Sequence, residues 1–183
     1  IAWNISWFML QAAYVPYAIN DLGLDASGVG ITLALYGVGM IVGALLAPRV
    51  VRALPFGQAI LLGPYFSVLA AVTMALTLFW PQGWVAALSY FLYGAGPILW
   101  VITSTTLRQT VTPRAMIGRV TSIVIVASTG ARPLGAALGG LLGVYFPASV
   151  SLWCVVLGFG MQAVIITASK VRTLKRLPDP LPD

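Results

Sequence analysis

The sequence predicts an all-α membrane protein of six transmembrane helices arranged as two three-helix repeats. Three observations lead there. Hydrophobic residues make up 60 % of the chain, charged residues only 8 %, and the mean hydropathy is +0.96, whereas soluble domains carry roughly 25 % charged residues. Six windows of about 20 apolar residues, the length that crosses a bilayer as a helix, follow one another with turn signals between them. The basic residues fall almost entirely on one side of that six-span layout.

The spans are expected at Ile1–Ile19, Val29–Ala47, Gln58–Trp80, Trp84–Leu107, Val120–Val144 and Ala148–Ser169. Together they form a bundle over 1–169, followed by a basic, Pro-rich tail at 170–183. Between the spans stand "NDLGLDASG", "PRVVRALPFG", "PQG", "RQTVTPRAMIG" and "YFP", rich in the residues that chain reversal needs. The windows are too long and too continuous for the alternating strands of a membrane barrel. The tail is expected to be disordered after its basic stretch, because three prolines prevent helix continuation.

Orientation follows from charge. Arg49 and Arg52 follow the second span, Arg108, Arg114 and Arg119 the fourth, and Lys170, Arg172, Lys175 and Arg176 the sixth. Of the 10 basic residues only Arg132 is left over. Short cytoplasmic loops collect Lys and Arg, so this face and both termini read as cytoplasmic. The net charge of +6 is then a positive inner surface facing anionic lipid, with no nucleic-acid partner required. The chain opens at Ile1, inside an apolar segment, without Met and without the order of a signal peptide, and reads as a fragment. Cys154, the one cysteine, can form no intrachain disulfide.

Several chemistries are excluded. The chain has no His and no Glu, and its four acids, Asp21, Asp25, Asp179 and Asp183, lie outside the spans. No buried metal cage, carboxylate pair or His-based hydrolase can be assembled from it. No Gly-rich loop ending in Gly-Lys-Ser/Thr is present to cradle nucleotide. The expectation is a protein that is not an enzyme and holds neither cofactor nor metal. Proton coupling, which normally uses an ionisable group within the membrane, would need a part of the protein outside these spans.

Two polar stripes mark candidate binding faces. Asn4, Trp7, Gln11 and Tyr14 share one face of the first span, which must meet another helix or a wet cavity, because unpaired amides are costly in hydrocarbon. Pro16 is expected to bend this helix. Tyr90, Tyr93, Pro97, Trp100 and Ser104 line the fourth span around a "YGAGP" break, and aromatic walls with polar tips suit an amphiphilic ligand as well as ordinary packing. Trp80 and Trp84, around "PQG", read as belt residues at the outer surface. Glycines repeat at four-residue spacing in "GMIVGALLA" from Gly39 and in "GAALGGLLG" from Gly135, a pattern of close helix contact. Aligning Gly39 with Gly135 and Gly43 with Gly139 makes the second span an echo of the fifth, as two three-helix repeats would.

Arg132 sits about twelve residues, roughly 18 Å, from either end of its span. Facing lipid there would cost at least about 2.5–3.5 kcal/mol, so the guanidinium must face protein or water. Its partners are expected among carbonyls of "STGA" freed by Pro133, a carboxylate elsewhere in the protein, or an anionic group on a ligand.

The stretch from Arg114 to Trp153, with "GRV.S" opening a helix and "G..PLG" within it, resembles the eleventh helix of the major facilitator superfamily, in the group of bacterial enterobactin and macrolide exporters. "GVGMIVGALLAPRVVRALPFG" is similar to the eighth helix and its cytoplasmic loop. The loop motif of the family, a Gly, then Asp-Arg, then Gly-Arg-Arg, is degraded: Arg49 and Arg52 remain and the Asp is absent. The resemblance implies the C-terminal half of a twelve-helix fold in a bacterial inner membrane, partnered by an N-terminal six-helix half and by lipid. It implies alternating-access export of a small-molecule substrate, commonly by proton antiport. It assigns a ligand-facing role to Asn4, Gln11, Tyr14, Tyr93 and Trp100, places Arg132 near the opposite half, and gives Arg49 and Arg52 a place in the gating loop. Two other readings remain open from the residues alone: the membrane subunit of an ATP-driven transporter, and a membrane scaffold that transports nothing.

Overall fold

The computed structural model describes residues 1–178. Helices cover 86 % of the described residues, and no strand occurs among them. Six α-helices follow in order: α1 Ala2–Asn20, α2 Ala26–Ala53, α3 Phe56–Leu76, α4 Gly83–Thr110, α5 Ile117–Tyr145 and α6 Ala148–Ala168. Five of them, α2 to α6, are long and apolar enough to cross a membrane. The exception, α1, carries Asn4, Gln11, Tyr14 and Tyr17, and the bundle absorbs it: Leu10, Tyr14 and Ala18 are fully buried.

The helix ends follow local chemistry. Asp25 caps α2, its Oδ1 accepting from the Gly28 amide at 2.7 Å, and Gly23 takes φ +64° in the turn before it, a conformation that favours glycine. Beyond Leu76, α3 tightens into shorter bonds from the Thr77, Leu78 and Phe79 amides to Met74, Ala75 and Leu76, so it stops short of the expected Trp80. By contrast α2 runs through Pro48 to Ala53. Arg49 and Arg52 therefore stand on its last turns rather than in a loop, where cations complement the helix dipole; Arg52 Nε donates to the Pro48 carbonyl at 3.0 Å. The expected break at "YGAGP" is not a break either, since α4 is continuous from Gly83 to Thr110. Its glycines serve packing: a methyl group on Gly94 would overlap the Tyr36 carbonyl of α2, and one on Gly96 would overlap the Phe66 side chain of α3. α1 likewise continues as helix through Pro16.

The basic tail folds back. Lys170–Thr173 form a short 3-10 turn, and the Leu174 and Lys175 carbonyls accept from the Gly57 and Phe56 amides at 2.8 and 3.4 Å, satisfying donors at the start of α3. Val171 and Leu174 pack beside Phe56, Ile60 and Leu61. The expected disorder concerns the prolines after this stretch, and 179–183 lie outside the described residues.

The repeat is visible in the contacts. Helices touch in the series α2, α4, α3, α6, α1, α5, and exchanging α1 with α4, α2 with α5 and α3 with α6 reproduces the same series. Gly39 and Gly43 close on the Phe91 and Ala95 carbonyls of α4, while Gly135 and Gly139 close on the Ile5 and Met9 carbonyls of α1. In both pairs, glycines one turn apart meet carbonyls one turn apart, in the register that the sequence alignment predicts. The two end members of the series, α2 and α5, bury little beyond these seams. Ile31, Ile41 and Leu45 of α2 are exposed, as are Ile123, Leu134 and Leu141 of α5.

Adding a side chain at a seam must push two backbones apart. Gly43→Val and Gly135→Val are each expected to destabilise the fold by about 1–3 kcal/mol, read as a lower unfolding midpoint in detergent. Gly140→Val, whose added atoms meet open space, should stay within about 0.5 kcal/mol of the parent.

Candidate functional site

One end of the bundle is packed and the other is open. Trp7, Tyr14, Tyr90, Tyr93 and Phe159 form an aromatic core with ring centroids 4.5 to 6.4 Å apart, joined by Leu10, Met74, Ala86 and Leu152. Toward the opposite end, where Arg49, Arg108, Arg114 and Arg172 gather, the helices part around a cavity of about 640 Å³. Its wall is drawn from the start of α1 (Trp3, Asn4), the middle of α2 (Tyr36, Met40), the first half of α3 (Gly63, Ser67), the second half of α4 (Pro97 to Arg108), the first half of α5 (Val124, Ser128, Arg132) and the last turns of α6 (Gln162, Ile165).

Arg132 lies about 20 Å from either end of α5 at 1.5 Å per residue, and its side chain reaches across to α1. Nε donates to Asn4 Oδ1 at 3.2 Å, and the guanidinium carbon stands 5.5 Å from the centre of the Phe8 ring. Both contacts suit a guanidinium, and the Arg132 side chain as a whole remains exposed. Its partner within the chain is thus a neutral amide on another helix rather than the carbonyls around Pro133. The other N–H donors of the guanidinium have no hydrogen-bond partner among the described residues.

Of the residues expected at a ligand, Asn4, Trp100 and Arg132 line the cavity. Gln11, Tyr14 and Tyr93 stand behind it in the core. The Tyr90 hydroxyl donates to Gln11 Oε1 at 2.8 Å, the Tyr14 hydroxyl donates to Thr32, and Tyr93 is fully buried against Trp7 and Phe159. Position along the helix explains the split: the stripe on α1 is continuous, but the bundle closes around it after its first turns. Arg49 and Arg52 stand on the last turns of α2 and are absent from the cavity wall.

Several wall residues escaped the sequence reading. Trp3 lies one turn before Trp7, stacks on it at 5.5 Å, and donates its indole N–H to Ser67 at 3.1 Å. Tyr36 stacks on Trp7 at 5.0 Å. The Gly39 and Gly135 alignment already contained Tyr36, because it stands three residues before Gly39 as Arg132 stands three before Gly135. Gln162, an amide in an otherwise apolar span, was legible as polar but had no partner in the sequence pattern. Its Oε1 is buried without a hydrogen bond, as is Arg108 Nε.

Comparison with known proteins agrees with this architecture. The family described as transmembrane secretion effector matches residues 11–179. The chain belongs to this family, within the major facilitator superfamily. The enterobactin exporter EntS of Citrobacter koseri is 28 % identical over 178 residues, which is 95 % of this chain and 41 % of that relative. The chain therefore spans less than half the length of the curated relative it matches. No solved structure matches.

A water-filled cavity and a packed core differ in reactivity. With Cys154 replaced by Ala, Ser104→Cys and Ser128→Cys should react with a charged, water-soluble thiol reagent at least an order of magnitude faster than Ser89→Cys, whose side chain is fully buried. Equal rates would show that the wall is closed.

Proposed function

We propose that this chain is the C-terminal half of a secondary exporter that moves small organic molecules out of a bacterial cell across the inner membrane, by alternating access. The observation that carries the proposal is the one-sided cavity, open at the basic end and closed by the aromatic core at the other, in a member of a secretion-effector family. A substrate passage built by two rocking halves needs such a wedge in each. The N-terminal half would supply the facing wall, with the exposed apolar faces of α2 and α5 as its seam. Proton coupling belongs to the same proposal, with the titrating group in the N-terminal half, since no acid stands in the spans described here. Asn4, Trp100 and Arg132 face the substrate, and Gln11, Tyr14 and Tyr93 hold the first and fourth helices in place behind them. Family membership favours this reading over an ATP-driven subunit or a scaffold.

Two measurements test it. Cells lacking the gene should accumulate an exported compound and recover on complementation with the intact protein, while Trp100→Ala lowers efflux at least severalfold with unchanged membrane abundance; unchanged efflux would favour the scaffold. For orientation, Arg114→Cys in a background with Cys154 replaced by Ala should be labelled by an impermeant maleimide in inside-out vesicles and not in intact cells. Labelling from outside would reverse the topology.

A further inference from the structure

The cavity wall has a charge asymmetry that the exporter reading leaves unexplained. Among the described residues it contains two guanidinium groups, Arg108 and Arg132, and no carboxylate. The four acids of the chain lie at Asp21 and Asp25 in the turn at the opposite end and at Asp179 and Asp183 in the tail. Cationic side chains at a cytoplasmic rim are ordinary, but Arg132 is not at the rim: it stands near the middle of α5, with a neutral amide and an aromatic ring for neighbours. The Arg132 side chain is exposed, and no carboxylate among the described residues pairs with it, so an anion that enters the cavity can form a charge-assisted hydrogen bond there. Most of its N–H donors are free to make such a contact. Arg108 lines the same cavity toward the basic end, and its Nε is buried without a partner. Around the two, Trp3, Tyr36 and Trp100 offer flat apolar faces, which suit an aromatic or amphiphilic body. Gln162 can present either the oxygen or the nitrogen of its amide by rotation, and so does not oppose a negative charge.

We propose that this cavity selects organic anions: a carboxylate, sulfonate or phenolate on an aromatic or apolar body, with its charge at Arg132 and its body against Trp3, Tyr36 and Trp100. Arg108 is the first cation such a molecule meets on its way in. An anionic lipid headgroup has the same charge, but it is anchored at the membrane interface, whereas Arg132 is about 20 Å from either end of its helix. The inference rests on the exporter reading only in taking the cavity for a substrate passage.

The test uses the intact protein in phosphatidylcholine nanodiscs and two probes with one ring system, naphthalene-2-sulfonate and the uncharged naphthalene-2-sulfonamide, titrated by calorimetry. The sulfonate is expected to bind at least tenfold more tightly than the sulfonamide. Arg132→Gln should remove roughly tenfold or more of the sulfonate affinity and leave the sulfonamide within twofold, and Arg132→Lys should restore part of it. Equal affinities, or a loss in Arg132→Gln that is the same for both probes, would overturn the proposal, the latter by making the guanidinium a structural cation. Competition by added phosphatidylglycerol would overturn it in favour of a lipid headgroup. If Arg132→Gln fails to fold, Arg108→Gln with the same probe pair carries the test, with the same expected loss of discrimination. Flux in proteoliposomes separates the two readings: export of both probes without preference sinks the anion inference and keeps the exporter, while selective binding without flux does the reverse.

Discussion

Hydrocarbon supplies no hydrogen bonds, and the fold is organised around a first helix that needs many. An unpaired buried polar group costs about 1–3 kcal/mol, and α1 carries a run of them. Five of them are met by residues outside α1. Trp3 donates to Ser67 of α3, Asn4 accepts from Arg132 of α5, Gln11 accepts from Tyr90 of α4, Tyr14 donates to Thr32 of α2, and Tyr17 pairs with Thr77 beyond α3. The one helix not apolar enough to read as a membrane span is therefore the most cross-linked one. Its polarity fixes its place against the others in a way that apolar packing, which is indifferent to small rotations, does not.

Around that hub the small residues set distances. Glycine seams bring α2 onto α4 and α5 onto α1 in one register, and the same seams hold Tyr36 and Arg132 at corresponding points of the cavity wall. Equivalent positions thus carry different chemistry: a ring on one side, a cation on the other. A scaffold of two similar repeats acquires an asymmetric lining by changing side chains at points the backbone symmetry already defines, without disturbing the helix contacts.

Much of this was legible in the sequence. Helix number and order, the glycine seams and the internal repeat follow from hydrophobic length and the spacing of small residues, which are local properties. So was the isolation of Arg132, since charge and depth are read along one chain. What could not be read was partnership. Asn4 and Arg132 lie far apart in sequence and in no recognisable pattern, and the division of the first-span stripe into Asn4 at the cavity and Gln11 and Tyr14 in the core depends on where the bundle closes. The continuity of α4 through "YGAGP" was hidden for the same reason: glycine and proline read as a break until the helices that press on Gly94 and Gly96 are known. The return of Val171 and Leu174 onto the start of α3 likewise rests on contacts that composition does not carry.

In the proposed function, a polar hub, two glycine seams and a singly bonded cation at mid-helix form half of a passage whose other wall would come from a second bundle. A cryo-EM map of the intact protein in nanodiscs tests that most directly. The predicted result has α2 and α5 buried against a second six-helix unit, with the guanidinium of Arg132 bordering a solvated space shared by the two. A map in which α2 and α5 face acyl chains and Arg132 projects into lipid would contradict it.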